Sequence, residues 1–288
     1  MTATSAGSIS RMKPPFTYFG GKTSTAARIA SLLPPHEHYV EPFAGSLAVL
    51  LAKPPSAMET VNDIEQDLMT FWRVLRDQPA ELEQVCALTP HSRAEQAACY
   101  ERNPELADLE RARRVWVVLT QGRGGHLWRG IGWRYEQNPR GSSTSMPDYL
   151  ASYVRRIPPA ARRLHGVSLE CLPALDLIRR YGQHPAVLIY ADPPYLQSTR
   201  TSASGNDYGH DMATEAEHQQ LAETLHAAKA AVVLSGYHSP LYERLYADWY
   251  RTEISAYAGN AAGERRRTEV LWSNRQFPAQ QTLLALED

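Results

Sequence analysis

Apolar positions along this chain follow two spacings that take turns. Residues 27, 29, 30 and 33 recur with helical period until Pro34-Pro35 stops them, and the same period returns at 46–52 and 65–76. Between these helices lie short apolar runs at 38–41 and 58–62, which predict strands. From residue 77 onward the pattern is helical only, at 80–88, 93–101 and 105–120. A glycine- and arginine-rich loop follows at 121–145, then one more helix at 147–156. Alternation resumes with a strand at 167–171, a helix at 173–181, a strand ending at Asp192, a helix at 214–228, a strand at 231–235, a helix at 240–247 and a hairpin over 250–274. The fold class expected from this is α/β: a doubly wound, mostly parallel, Rossmann-like sheet with a C-terminal antiparallel hairpin. Segments 1–76 and 166–288 form one domain, and a mainly helical domain, 77–165, is inserted between them.

One strand ends in a way that invites chemistry. The run Ala186-Val187-Leu188-Ile189-Tyr190 leads into Asp192-Pro193-Pro194-Tyr195, and open α/β sheets bind ligands at the carboxyl ends of their strands. Asp192 brings a carboxylate acceptor, Pro193 and Pro194 contribute carbonyls in a loop of fixed φ, and Tyr195 a flat ring with a polar tip. Such a set suits a planar amino group on a nucleobase: two acceptors holding its N–H bonds localise a lone pair otherwise delocalised into the ring, while an aromatic side chain stacks on the base. The bland alternative is a tight turn with a helix-capping Asp192.

Charge changes the picture locally. The 288 residues carry 30 basic and 31 acidic side chains, a balance that does not announce a nucleic-acid partner. Yet between 111 and 163 eleven arginines stand against two acids, Glu136 and Asp148. Trp116, Trp128, Trp133, Tyr135 and Tyr149 are interleaved with them, a mixture suited to phosphate contact and base stacking. The alternative is a solvated charged face. Arg113, Arg114, Arg123, Arg129, Arg134, Arg140, Arg155 and Arg156 are the candidate contacts to double-stranded DNA.

Two further signals lie near the N-terminus. Gly20-Gly21-Lys22-Thr23 imitates the end of a phosphate-binding P-loop, but Phe16 stands where that motif needs glycine, so a P-loop is rejected. Val40-Glu41-Pro42-Phe43-Ala44-Gly45-Ser46 is a strand running into a small-residue turn before a helix, which lets backbone approach an adenosyl ligand. Asp63 ends the next strand, where a carboxylate can accept from ribose hydroxyls.

In this order the pieces resemble the amino-group DNA methyltransferases of the Dam type (D12 class), which methylate N6 of adenine with S-adenosylmethionine. The resemblance covers roughly 13–76 and 167–275, and Arg267-Thr268-Glu269-Val270-Leu271-Trp272 looks familiar as well. It implies that Asp192, Pro193, Pro194 and Tyr195 are catalytic, holding a flipped adenine. It also implies that Tyr18, Gly21, Lys22, Glu41, Phe43, Gly45, Asp63 and Asp192 bind S-adenosyl-L-methionine, and that the insertion recognises the target site. One departure is Leu47, where the family's loop usually carries a second glycine. Cytosine N4 or RNA adenine as the target, or a DNA-binding module that holds cofactor without turnover, are the alternatives. A restriction-modification setting is in keeping with the family.

Other features point away from metals and membranes. Cys86, Cys99 and Cys171 lack the spacing of a zinc site and read as reduced thiols of a cytoplasmic protein. No apolar run is long enough to span a bilayer, and residues 1–10 lack the apolar core of a signal peptide. The ten histidines are scattered and read as surface or core residues, so no metal is expected. We expect a monomer, or a dimer on DNA. Segment 196–212 reads as a loop that closes over the flipped base or as a plain solvent loop, and Arg265-Arg266-Arg267 as a further phosphate contact or a solvated turn.

Overall fold

Five short runs become the parallel part of a seven-stranded sheet. In the computed structural model, which describes residues 12–130, 132–135, 144–195, 212, 214–258 and 265–278, with side chains left out at 256–258 and 265–267, the strands are β1 (His38–Glu41), β2 (Met58–Asn62), β3 (Val167–Glu170), β4 (Val187–Ala191), β5 (Ala231–Gly236), β6 (Tyr250–Ala258) and β7 (Arg265–Ser273). Their order across the sheet is β3-β2-β1-β4-β5-β7-β6, with β7 antiparallel to both neighbours. This is the expected doubly wound, mostly parallel sheet with a C-terminal hairpin. Strand order reverses between β1 and β4, paired in parallel with Val40 opposite Ile189. A crevice opens at such a point because the connections leave to opposite faces.

The two faces bury different sets of side chains because successive strand residues point to opposite sides. Tyr39, Leu188, Tyr190 and Val233 join one core, whereas Val40, Ile189, Val232, Leu234 and Trp272 join the other. The second core is covered by α9 (Ala174–Tyr181), α10 (Glu215–His226) and α11 (Pro240–Leu245). The first is covered by α1 (Ala26–Ser31), α2 (Ala48–Ala52) and α3 (Gln66–Asp77), and is continuous with apolar side chains of the helices that follow: α4 (Pro79–Leu88), α5 (Arg93–Cys99), α6 (Asp108–Gln121), α7 (Met146–Val154) and α8 (Ile157–Leu164). The N-terminal segment is tied to them, since the Trp116 indole N–H donates to the Pro15 carbonyl at 3.1 Å.

Helix α8 is absent from the sequence reading, which stops at Arg156 before Pro158-Pro159. Proline ends a helix only from inside it. In a first turn its missing N–H has no intrahelical acceptor to lose, and here the pair opens a new helix.

Leu47 adopts φ 54° and ψ 29°, left-handed backbone, with its side chain fully buried. That conformation costs a branched residue about 1–2 kcal/mol, while a lost buried leucine costs about 2–5 kcal/mol. Packing outweighs strain, so Leu47→Gly should lower stability by about 1–3 kcal/mol in urea unfolding; a more stable variant would show the opposite balance.

Among the described residues Cys86, Cys99 and Cys171 are free thiols, and no helix is long and apolar enough to cross a membrane. The expectations for segment 196–212 other than Met212, for Arg140 and for the side chains of Arg265, Arg266 and Arg267 concern residues outside those described.

Candidate active site

At the reversal point the end of β4 meets a tight turn from the N-terminal segment. Gly20 takes φ 71°, and the Gly21 N–H donates to the Tyr18 carbonyl at 3.0 Å. A side chain at Gly21 would lie 2.9 Å from that carbonyl oxygen, so the turn needs glycine there. It delivers Lys22, whose Nζ lies 2.9 Å from Asp192 Oδ1, 3.0 Å from the Gly20 carbonyl and 3.7 Å from Glu269 Oε1. Lys22 is therefore a buried partner of the candidate catalytic acid.

Glu269 comes from β7. It accepts from the Ser235 hydroxyl of β5 at 2.6 Å and bonds the Tyr195 hydroxyl, which also lies 3.1 Å from Asp192 Oδ1. The Tyr195 ring has Lys22 Nζ 4.7 Å from its centroid and packs against Tyr237 at 4.5 Å. Burial raises the Asp192 pKa and Glu269 adds to the rise, opposed by Lys22.

Beside this cluster is a cavity of about 780 Å³ lined by Tyr18, Gly21, Lys22, Glu41, Phe43, Gly45, Asp63, Asp192, Pro193 and Pro194 among others. Every residue that the family resemblance assigns to the cofactor is on its wall. Gly45 is left-handed, and a Cβ there would stand 3.1 Å from the Tyr18 ring. Its N–H donates to Asp63 Oδ2 at 3.0 Å, and Asp63 Oδ1 accepts from the Glu65 N–H at 3.0 Å. Asp63 thus braces the glycine turn and the start of α3 while it faces the cavity. Glu41 is buried and accepts from the Tyr39 hydroxyl at 2.8 Å; burial pushes its carboxyl up to about 8. Tyr195 does not line this cavity.

The chain matches the D12 class N6 adenine-specific DNA methyltransferase family over residues 18–114 and 154–258. It belongs to that family. It is also 26% identical to the type II methyltransferase M1.LlaDCHI of Lactococcus lactis subsp. cremoris over 285 residues, 90% of this chain and 95% of the relative. Among solved structures, precorrin 8W decarboxylase of Methanobacterium thermoautotrophicum superposes with TM-score 0.36 at 9% identity, over 91% of this chain and 97% of the other. A candidate methyltransferase from Streptococcus mutans in complex with SAH does so with TM-score 0.34 at 7% identity, over 86% and 95%.

The arginines of this DNA methyltransferase divide once they are placed in space. Arg113 pairs with Glu110 at 2.6 Å and Glu95 at 2.7 Å, and Arg114 with Glu110 at 2.9 Å. Arg111 pairs with Asp67 at 2.6 Å, and Arg163 is buried against Glu59. These partners lie outside the 111–163 window, so an excess of charge counted along the chain shrinks in three dimensions. Arg156 donates to the Pro14 carbonyl at 3.0 Å, while Arg134 sits over the Tyr149 ring at 5.0 Å. Arg129 is half-buried; Arg123, which donates to the Trp133 carbonyl at 3.2 Å, and Arg155 are exposed.

Glu269 and Ser235 are the participants for which the sequence reading gave no role. A signal for Glu269 existed: alternation along β7 puts it on the same side as Leu271, which is core, and a carboxylate directed inward from a strand needs partners.

Proposed function

We propose that this adenine-specific DNA methyltransferase uses S-adenosylmethionine to methylate N6 of an adenine flipped out of duplex DNA. The carrying observation is the junction at Asp192, where one carboxylate borders the cavity and is held by Lys22 and Tyr195. The residues fit the cofactor. The cavity is within the roughly 300–1,000 Å³ usual for small ligands, the left-handed Gly45 allows close backbone approach, and Asp63 and Glu41 face a ligand with ribose hydroxyls and cationic groups. When bound, the cofactor supplies an electrophilic methyl group.

In this reading Asp192 and the Pro193 carbonyl accept the two N6 hydrogens, directing the nitrogen lone pair toward the methyl. N6 loses one proton as it gains the methyl, and Asp192 is the acceptor within reach. Lys22 and Tyr195 hold the carboxylate in place. In this reading the Tyr195 ring stacks on the adenine. The flipped base sheds its stacking and pairing energy to enter the site.

The test of cofactor placement is Asp63→Ala, expected to weaken S-adenosylmethionine binding in calorimetry without DNA; wild-type affinity would mean the cofactor lies elsewhere. Glu41 adds a sign. With its pKa raised to about 8 it is largely protonated at pH 7, and a cationic ligand favours the carboxylate, so binding should release protons. Binding enthalpies measured at pH 7 in buffers of different ionisation heat should therefore differ, and should converge in Glu41→Gln.

We further propose that helices α4 to α8 and the glycine- and arginine-rich loop recognise the target sequence. Arg155→Ala should reduce the slope of log affinity for DNA against log salt by about one. Arg113→Ala should instead act through stability, because it leaves Glu110 and Glu95 short of a partner. A salt series on each variant, with thermal unfolding beside it, checks both.

A further inference from the structure

We infer that the helical insertion builds one wall of the cofactor cavity and that the Trp128 indole is the surface on which the adenine ring of S-adenosylmethionine lies; this rests on the cofactor placement proposed above. Trp128 was counted from sequence among the aromatic residues suited to DNA. The structure puts it, with Leu127, on the wall of the same cavity as Asp63, Ile64 and Glu65.

Contacts mark which end of the cavity this is. Asp63 receives the Glu65 N–H, Glu65 holds Arg102 at 2.7 Å, and the Arg102 guanidinium lies 4.9 Å from the centre of the Trp128 ring. A ligand with its methyl at Asp192, its cationic amino-acid end at Glu41 and its ribose at Asp63 has its base left to place, and this chain of contacts leads from Asp63 to an aromatic wall. Flat π-systems stack on indole with little demand for directional bonds. Arg102, also 3.1 Å from Asp67, is a positioning residue that steadies the ring.

The wall has a fixed mount. The Phe19 N–H donates to the Gly125 carbonyl at 2.8 Å, and the Phe19 and His126 rings stack at 4.0 Å. Gly125 has φ 70°, and a Cβ there would lie 3.0 Å from Phe19 backbone, so the loop docks closely on the segment that carries Lys22. That loop also carries Arg123 and Arg129.

Calorimetry with S-adenosylmethionine on Trp128→Ala, Trp128→Phe, Leu175→Ala and Asp63→Ala decides the matter, with thermal unfolding of each apo variant. Trp128→Ala should bind roughly tenfold to a hundredfold more weakly, and Trp128→Phe should stay near wild type. Quenching of tryptophan fluorescence by the cofactor should shrink in Trp128→Phe, a readout that survives if the alanine variant fails to fold. Full affinity in Trp128→Ala together with weakened Asp63→Ala overturns this inference and leaves the cofactor placement standing. Weakening in Leu175→Ala and Asp63→Ala with full affinity in Trp128→Ala puts the base against the start of α9 and also overturns it. Full affinity in Asp63→Ala and Trp128→Ala alike removes the placement itself.

Discussion

Asp192→Ala should lower single-turnover methylation of duplex DNA by at least about a hundredfold, the usual consequence of removing one hydrogen-bond partner that acts in the transition state. Cofactor affinity should change far less, since Glu41, Asp63 and the Gly45 turn remain. Truncation leaves Lys22 with Glu269 as its remaining carboxylate at 3.7 Å, so the fold should survive, which near-UV dichroism can verify. A rate within a few-fold of wild type would sink the assignment. Asp192→Asn sharpens the test: it keeps one acceptor oxygen but cannot take a proton, so its rate should fall as well. The wild-type pH profile has a defined sign. Burial raises Asp192 to about 6, so the chemical step should weaken as pH falls through that value, higher than an ordinary aspartate would give.

Arg163→Ala should cost about 3–5 kcal/mol of stability, the range for breaking a buried charge pair from one side. Arg163 donates to both Glu59 oxygens and to the Leu50 carbonyl at 3.1 Å, while Lys53 bonds Glu59 at 2.6 Å from the other side. All three side chains are buried, joining the α2–β2 connection, β2 and α8. The partners hold the Glu59 pKa below its ordinary value despite burial. A carboxylate with a depressed folded-state pKa contributes stability that is present above its unfolded pKa of about 4.5 and is lost as pH falls through the lower folded value. Arg179→Ala removes an exposed pair with Asp176 and should cost well under about 1 kcal/mol. Urea unfolding of the two variants side by side checks the contrast, and equal costs would show that Arg163 is not the buried keystone its contacts describe.

Much of this site was legible in one dimension because its parts are local. A run of apolar residues that stops at two prolines marks a strand end, and a small-residue turn at Gly45 marks a close approach whether or not a neighbour is known. Asp63 and Asp192 could therefore be named from local pattern, whereas Tyr18, Lys22 and Glu41 followed from the family resemblance, and all five border one cavity. Helix α8 was missed for a local reason, the position of a proline pair within a turn.

What the sequence by itself determined, then, is the alternation of strands and helices, the sheet type, the strand ends where chemistry sits and the chemical kinds of group there, because period and turn chemistry act over a few residues. Only the tertiary structure decided who partners whom. Glu269 reaches Tyr195 across 74 positions, and Glu59 meets Arg163 across 104. The arginines of α6 face acids lying outside their own window, and Trp128 lies on the wall of the cavity that Asp63 and Asp192 border. Electrostatic and stacking energies depend on distance in space, and the sheet order that sets those distances is a property of the folded chain as a whole.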